Sequence, residues 1–170
     1  PRTDHFNVTI GKAKRTIKGK AHAEFPAILK RAAARNRKGM HHHILLVGPA
    51  GTGKTTIGEQ LANCLGYEFS AISLSEGASE AHILGRYLPT GKAGAYQYHE
   101  SEFVRIYRDG GLFLLDEIDR ADANVLVAIN AALANNGIVL PKGKRIDRHE
   151  DSIIVAAGNT YGHGADRTYA

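Results

Sequence analysis

The sequence predicts an α/β fold in which helices cover both faces of a mostly parallel sheet. Three short apolar runs carry this prediction, at residues 44–47, 112–115 and 153–157. Apolar runs of this length are typical of strands that are buried on both faces. Helical patterns follow the first two runs. We therefore expect a three-layer sandwich with small β-hairpin inserts, and a ligand site at the carboxyl ends of the strands.

The length and composition indicate one globular domain. A chain of 170 residues is long enough to bury a core. No apolar run approaches the length of a membrane span, and no N-terminal signal pattern is present. Cys64 is the single cysteine, which excludes an internal disulfide. These features predict a cytoplasmic protein without membrane contact, in which Cys64 is a small core residue.

Residues 1–23 are predicted to form a basic N-terminal arm. Apolar and polar residues alternate from Phe6 to Ile10, and Gly11 offers a turn into a second strand around Ile17. Residues 1–40 hold 11 Lys or Arg and two acidic residues, while the rest of the chain holds 11 and 15. The net charge of +5 therefore comes from this region. Nucleic acid or an acidic partner would fit the arm, and a solvated basic surface is the alternative.

Residues 24–170 are predicted to form the nucleotide-binding core. Its first helix is expected to begin near Glu24, with Pro26 in the first turn and Gly39 as a stop signal. Because this segment leads directly into the first buried strand, His22 and Phe25 are candidates for covering a nucleotide base. The three histidines at 41–43 would alternate faces on an extended strand, so they do not predict a shared metal site.

The stretch from Gly48 to Thr55 fits G-x-x-x-x-G-K-[ST], the Walker A or P-loop pattern, between a strand and a helix. Its glycines let successive N–H groups point at phosphate oxygens, and the helix N-terminus adds its positive dipole. Lys54 would contact the β- and γ-phosphates, and the Thr55 hydroxyl would complete a Mg²⁺ shell. The predicted nucleotide-binding residues here are Gly48, Pro49, Ala50, Gly51, Thr52, Gly53, Lys54, Thr55 and Thr56.

One further strand, two helices and an insert are expected before the next motif. Residues 67–74 alternate as a second strand, and Ser79 is a candidate cap for a short helix that ends near Gly85. Residues 86–98 place tyrosines on both sides of a Gly-rich tip, which predicts a protruding hairpin or loop. Apolar residues at helical spacing from 103 to 107 predict a further helix, which should end at the glycines 110 and 111.

Acidic residues follow the second buried run, as in the Walker B pattern. Asp116 and Glu117 would emerge at the carboxyl end of this strand. Asp116 would orient the Mg²⁺ shell, with Thr55 as the other metal-shell residue. Glu117 would polarise the attacking water as a general base. Acids at a strand end are weak evidence alone, and the Walker A stretch upstream makes an accidental match unlikely.

The last third of the chain adds a helix, a hairpin and a third polar site residue. Asp122 is a candidate cap for a helix that ends at 135–137, and residues 138–146 predict a hairpin. The third buried run then delivers Asn159 to the same sheet edge. Asn159 would hydrogen-bond the γ-phosphate or the attacking water, so it joins Glu117 and Lys54 as a candidate catalytic residue.

With these motifs in place, the sequence resembles an AAA+ ATPase over roughly residues 20–170. Asn159 matches the family's sensor 1 position. Residues 86–98 resemble the helix-2 insert and residues 138–146 the pre-sensor-1 hairpin, which together resemble the MoxR-like, dynein-related branch. Residues 116–121 and 158–162 are most similar to the cobaltochelatase ATPase subunit and its phage-encoded relatives. The resemblance implies a P-loop NTPase fold, ATP and Mg²⁺ as cofactors, and a hexameric homo-oligomeric ring that remodels a protein client.

The resemblance also implies parts that residues 160–170 do not supply. The family continues after sensor 1 with a fifth core strand, an arginine finger and a helical lid that carries sensor 2. None of these can be assigned in this sequence, so we expect a core truncated before the finger and lid. A neighbouring subunit in the ring would supply an arginine to the site.

Three functions are consistent with these residues. The first is an ATP hydrolase that remodels a protein client. The second is a nucleotide-dependent switch with little turnover, in which the basic arm binds nucleic acid through Lys12, Lys14, Arg15, Lys18 and Lys20. The third is a small-molecule kinase, although Asp116, Glu117 and Asn159 favour water as the phosphate acceptor.

Overall fold

The computed structural model describes residues 5–74 and 77–159. Its strands, in chain order, are β1 His5–Ile10, β2 Ala13–Lys18, β3 Ile44–Val47, β4 Phe69–Ser73, β5 Arg86–Pro89, β6 Tyr96–His99, β7 Gly111–Asp116, β8 Gly137–Val139, β9 Arg145–Asp147 and β10 Ser152–Gly158. Its helices are α1 Phe25–Ala33, α2 Lys54–Leu65, α3 Glu80–Leu84, α4 Glu102–Asp109 and α5 Ala123–Asn135, with a 3₁₀ turn at Ile118–Arg120.

Four strands form the central sheet in the order β3-β10-β7-β4. All three pairings in this sheet are parallel. The last strand of the described residues, β10, lies between β3 and β7, so the loops that follow these three strands emerge side by side. The predicted parallel sheet is confirmed. The three motifs lie together at the carboxyl ends of its strands, which we call the carboxyl edge.

Helices cover both faces of this sheet. On β7, Leu112 and Leu114 belong to one buried cluster with α1 and α2, while Phe113 and Leu115 belong to another with α3, α4 and α5. Successive side chains of a strand point to opposite faces, so one apolar run supplies both cores. The predicted three-layer sandwich is confirmed. Cys64 is 2% exposed in the first cluster, as expected for a core residue.

The N-terminal hairpin packs on the first core. β1 and β2 pair antiparallel, and the rings of Phe6 and Phe25 meet edge to face with centroids 5.4 Å apart. Ile17 is 5% exposed in the same cluster. The predicted hairpin is therefore present, and one face of it is held by apolar contacts to α1 and α2. The division into residues 1–23 and 24–170 stays a prediction.

The first helix differs from its prediction. α1 ends at Ala33, because Ala34 is already extended and Arg35 pairs with His41 in an isolated antiparallel bridge. Gly39 closes the turn between them instead of ending the helix. Phe25, a candidate for covering a base, is 2% exposed, because its ring is packed against Phe6 in the core.

Two inserted hairpins pack against the core on the side of α3 and α5. β5 pairs with β6, and β8 pairs with β9, both antiparallel, which confirms the two expected hairpins. Ser79 forms a capping box with His82 at the start of α3, as predicted. Asp122 occupies the N-cap position of α5 without a capping bond from its side chain. Within the described residues, no helix is long and apolar enough to cross a membrane.

Candidate nucleotide-binding site

The loop between β3 and α2 is shaped by two glycines. Gly51 and Gly53 have φ angles of 78° and 80°, in the left-handed region that other residues rarely adopt. Gly48 lies outside that region, so the expected curl depends on two of the three glycines. Gly53 is the N-cap of α2 and accepts a hydrogen bond from Ile57 N at 2.8 Å. The loop therefore turns directly into a helix N-terminus, which favours anions.

Lys54 lies at the centre of the loop. Its ammonium donates to Gly48 O at 2.9 Å, to Pro49 O at 3.0 Å and to Asn159 Oδ1 at 2.9 Å. The side chain is half-buried. Three neutral acceptors surround the charge, so an anionic ligand could replace any of them with a stronger, charge-assisted hydrogen bond.

Thr55 and Asp116 meet directly. Thr55 Oγ1 donates to Asp116 Oδ2 at 2.8 Å, and the backbone N–H of Glu117 donates to Asp116 Oδ1 at 2.9 Å. A hydroxyl and a carboxylate are hard oxygen ligands of the kind that Mg²⁺ prefers. Groups of three or more His, Cys, Asp or Glu suited to a metal are absent from the described residues. This donor set fits Mg²⁺, which usually keeps several waters and phosphate oxygens in its shell.

Glu117 is held in an uncommon conformation. Its φ of 55° and ψ of 41° place a non-glycine residue in the left-handed region, at a cost on the order of 1 kcal/mol or more. Its Oε2 accepts a hydrogen bond from Ser73 Oγ at 2.7 Å, and its Oε1 lies 3.3 Å from Arg120 Nη1. Ser73 and Asp116 are register partners on β4 and β7. The neighbouring strand thus orients the carboxylate that the sequence proposed as a general base.

Asn159 joins the site from β10. Its side-chain oxygen accepts the Lys54 bond, and its backbone N–H donates to Asp119 Oδ1 at 3.3 Å. The Gly48 N–H donates to Gly158 O at 3.3 Å, which fastens the start of the loop to the same strand. Residues 160–162, which shared the sequence resemblance, lie outside the described residues.

All the predicted catalytic residues come together at this edge, and three supporting residues were missed. Ser73, Asp119 and Arg120 each contact a predicted site residue. For Ser73, the available signal was its position at the end of an alternating strand. Placing it beside Glu117 also required the order of β4 and β7, which the sequence does not state. Asp119 and Arg120 follow the Walker B acids closely enough to have been candidates.

Comparisons with known proteins agree with this geometry. Residues 43–169 match the family model described as AAA domain (dynein-related subfamily). The chain belongs to this AAA family. The match confirms the predicted AAA+ family and its dynein-related, MoxR-like branch. The finer resemblance to cobaltochelatase subunits stays a prediction.

Relatives of the AAA domain occur in bacteria and eukaryotes. This chain is 31% identical over 128 residues to midasin of Dictyostelium discoideum, and the match covers 73% of this chain and 2% of midasin. It is 32% identical over 115 residues to the protein NorQ of Paracoccus denitrificans, covering 68% of this chain and 40% of NorQ. The chain therefore spans less than half the length of these relatives.

A solved structure shares the fold of the AAA domain. The crystal structure of a Cytophaga hutchinsonii protein assigned as an ATPase superposes with a TM-score of 0.55. The match covers 83% of this chain and 44% of that one, at 16% identity, so it supports the fold alone.

A polar groove adjoins the P-loop of the AAA domain. It lies between β2 and α2, has a volume of about 550 Å³ and is lined in part by Thr56. Arg15, Lys18 and Gln60 also line it. The Gln60 amide donates to the carbonyls of Lys18 and Lys20 at 3.4 and 3.3 Å, which ties the end of the hairpin to the helix.

Proposed function

We propose that this AAA domain binds Mg-ATP and hydrolyses it to remodel a protein client within an oligomeric ring. One observation carries the proposal. The residues expected for nucleotide chemistry converge at the ends of three adjacent parallel strands, with Thr55 bonded to Asp116 and Lys54 bonded to Asn159. An arrangement that joins motifs about 60 and 105 residues apart in sequence is difficult to attribute to chance.

The loop and its lysine would bind the triphosphate. Lys54 would exchange its three neutral acceptors for the β- and γ-phosphate oxygens, and the N–H groups of the first turn of α2 would face the same oxygens. Thr55 and Asp116 would hold Mg²⁺, which would neutralise developing charge on the phosphates. The β2–α2 groove, which begins at Thr56, has the size and polarity to take the nucleoside.

Glu117 and Asn159 would act on the attacking water. The Glu117 carboxylate would accept a proton from the water as its oxygen attacks the γ-phosphorus, with ADP as the leaving group. The Ser73 hydroxyl and Arg120 hold this carboxylate in place, so both are positioning groups. Asn159, which contacts Lys54, would report whether a γ-phosphate is present.

A ring would complete the site. The family resemblance implies that a neighbouring subunit contributes an arginine, and such a residue raises turnover on the order of a thousand-fold or more. Hydrolysis would then depend on assembly. The two inserted hairpins would provide the surface that contacts the client.

A nucleic-acid-dependent switch is the second candidate, supported by the exposed lysines on the N-terminal hairpin. Lys12, Lys14 and Lys18 are exposed, whereas Ile17 faces the core. In this case oligonucleotide affinity would fall steeply with salt, and ATP turnover would stay low. Undetectable oligonucleotide binding at low salt would eliminate this candidate.

The test is phosphate release from Mg-ATP as a function of protein concentration. We expect specific activity to rise with concentration, and Glu117→Gln to abolish release while still binding ATP. Lys54→Ala should lose ATP binding. Specific activity that stays flat and near zero, with ATP still bound through Lys54, would contradict hydrolysis by this chain. A phosphorylated acceptor without free phosphate would indicate a kinase instead.

A further inference from the structure

A side-chain contact joins the two inserted hairpins. We call residues 86–99 and 137–147 the hairpin pair. The Lys142 ammonium lies 4.1 Å from the centroid of the Tyr87 ring, and the Tyr87 ring lies 5.4 Å from that of Tyr98. A cation over an aromatic face is an attractive contact even at exposed sites. The tip of one hairpin therefore contacts a strand of the other.

The hairpin pair is basic although the rest of the core is acidic. It contains five Lys or Arg residues and one acidic residue. The other positions from 24 to 170 contain 11 Lys or Arg and 15 acidic residues. This separation of charge along the core concentrates positive potential on the hairpins and favours an anionic partner there.

Three of these cations have no ion-pair partner among the described residues. Arg145 is paired with Asp147 at 2.9 Å, and Lys142 is engaged with Tyr87. Arg86, Lys92 and Lys144 are exposed, and none forms an ion pair with another described residue. An incoming carboxylate would therefore displace no ion pair between described residues at these three positions.

An apolar groove lies beside the hairpin pair. It has a volume of about 360 Å³ and runs between α3, α5 and the β8–β9 hairpin. Val127 and Val139 line it and are 68% and 56% exposed, which is unusual for valine. Its apolar lining consists of Leu84, Val127, Ala128, Ala131, Ile138 and Val139. Its polar lining includes Arg145 and a single acid, Glu80.

We propose that the hairpin pair and this groove form a docking surface for an extended, acidic polypeptide segment that carries aliphatic side chains. The aliphatic side chains enter the groove, and the carboxylates contact Arg86, Lys92 and Lys144. The inference rests on the proposed function, because it names the class of client. Positive charge alone would also suit nucleic acid. The aliphatic groove favours a polypeptide, since nucleic acids contribute aromatic bases and phosphates rather than aliphatic groups.

The test uses short fluorescein-labelled peptides and fluorescence anisotropy without nucleotide. The probe alternates aspartate and leucine, and its controls alternate aspartate with serine and lysine with leucine. We expect the Asp–Leu peptide to bind, and both controls to bind at least several-fold more weakly. Equal binding of the Asp–Ser peptide would remove the groove from the proposal. Undetectable Asp–Leu binding would overturn the proposal as a whole.

Matched variants locate the binding surface. Reversing two cations of the hairpin pair, Lys92→Glu with Lys144→Glu, should weaken Asp–Leu binding on the order of tenfold. The same double reversal at Lys12 and Lys14 on the N-terminal hairpin should change it less than about twofold. Equal losses in the two double variants would indicate general charge attraction and contradict the proposal.

The groove is tested in the same way. Val139→Ser should weaken peptide binding about threefold to tenfold through lost apolar contact. Leu45→Ser, at an apolar side chain that is 63% exposed on β3, should leave binding unchanged. Oligothymidine that displaces the peptide and is equally sensitive to the hairpin reversal would assign the surface to nucleic acid. Variant-sensitive self-association in sedimentation, without peptide binding, would assign it to a second copy of the chain.

Failure of this inference is distinguishable from failure of the proposed function. Peptide binding is measured without ATP, and the hairpin variants lie outside the nucleotide site, so their basal phosphate release should match the unaltered protein. Release without peptide binding would reject the docking surface alone. Peptide binding without release would reject hydrolysis while the surface remains.

Discussion

The two edges of the central sheet use polar residues in opposite ways. At the carboxyl edge, Lys54 and Asp116 are half-buried, and their hydrogen-bond partners are groups that a ligand can replace. At the amino edge, the Arg148 guanidinium is 8% exposed and donates to the carbonyls of His41 at 2.6 Å and Ser152 at 2.7 Å.

A hydrogen-bond network surrounds the buried His41 side chain at the amino edge. Asp151 accepts hydrogen bonds from Arg35 and, at 2.9 Å, from Tyr67, and the Tyr67 hydroxyl lies 2.8 Å from His41 Nε2. These contacts join the segment before β3 to the turn before β10. The Arg35 guanidinium and the Tyr67 hydroxyl lower the pKa of Asp151, and burial raises the pKa of Tyr67 to about 12.

This difference between the two edges predicts that one set of residues serves ligand binding and the other serves stability. Buried hydrogen-bonded groups are costly to disturb because each lost partner leaves an unsatisfied polar atom, whereas partly exposed groups exchange partners with water or ligand at little cost. We therefore expect substitutions at the carboxyl edge to reduce activity with little effect on folding. Substitutions at the amino edge should reduce the free energy of unfolding with little effect on nucleotide binding.

The largest expected effect is on catalysis. Asp116→Asn removes the charge beside Thr55, so turnover of Mg-ATP should fall on the order of a hundred-fold or more, with a weaker response to added Mg²⁺. The thermal midpoint should change by less than a few degrees. Turnover is measured by phosphate release, and the midpoint is measured by thermal unfolding. Asp122→Asn is the control, because the Asp122 side chain forms no capping bond, and it should retain full turnover.

The next effect is on stability at the opposite edge. Arg148→Met leaves the carbonyls of His41 and Ser152 without their donor, so the free energy of unfolding should fall by about 2–4 kcal/mol. The ATP affinity of this variant, measured under conditions in which the variant is folded, should stay within about twofold of that of the unaltered protein. Arg145→Met, at an exposed position three residues earlier in sequence, should cost less than about 0.5 kcal/mol. Equal losses in urea titrations of the two variants would refute the contrast between the edges.

A smaller effect depends on pH. Burial, together with the nearby Arg148 charge, lowers the pKa of His43 to about 4, from the ordinary 6.5. Between these values the unfolded chain binds a proton that the folded chain does not, so unfolding becomes easier as pH falls from 6.5 to 4. The loss attributable to His43 should be about 2–3 kcal/mol and be absent above pH 7.

The measurement is a series of urea titrations across this range. His43→Asn keeps an acceptor for the Ile154 N–H, which donates to His43 Nδ1 at 3.1 Å in the unaltered protein. The variant should show a shallower dependence on pH between 4 and 6.5. An unchanged slope would mean that His43 is not the group that responds.

The smallest expected effect concerns the orientation of Glu117. Ser73→Ala removes one hydrogen bond to its carboxylate, so turnover should fall about fivefold while ATP affinity stays the same. Ser70→Ala, on the same strand, serves as the control in steady-state assays and should leave turnover unaltered. A loss of ATP affinity without a loss of turnover would show that Ser73 acts on binding instead.

The sequence predicted those features that are encoded locally. The P-loop depends on contiguous residues, and the three buried strands depend on short apolar runs. Both were therefore identifiable without knowing which segments pack beside them. The bond between Ser73 and Glu117 depends on the parallel register of β4 and β7, which no local pattern specifies. The early end of α1 has the same origin, because Arg35 bonds to Asp151 across 116 positions of sequence.

Nucleotide binding by the Glu117→Gln variant tests the central claim most directly. Calorimetric titration of this variant with Mg-ATP should give saturable binding, since Glu117 is expected to act on water rather than on the phosphates. Lys54→Ala should give none under the same conditions, while its urea unfolding matches that of the unaltered protein. Equal Mg-ATP binding by both variants, or binding by neither, would contradict a nucleotide site built at the carboxyl edge of the sheet.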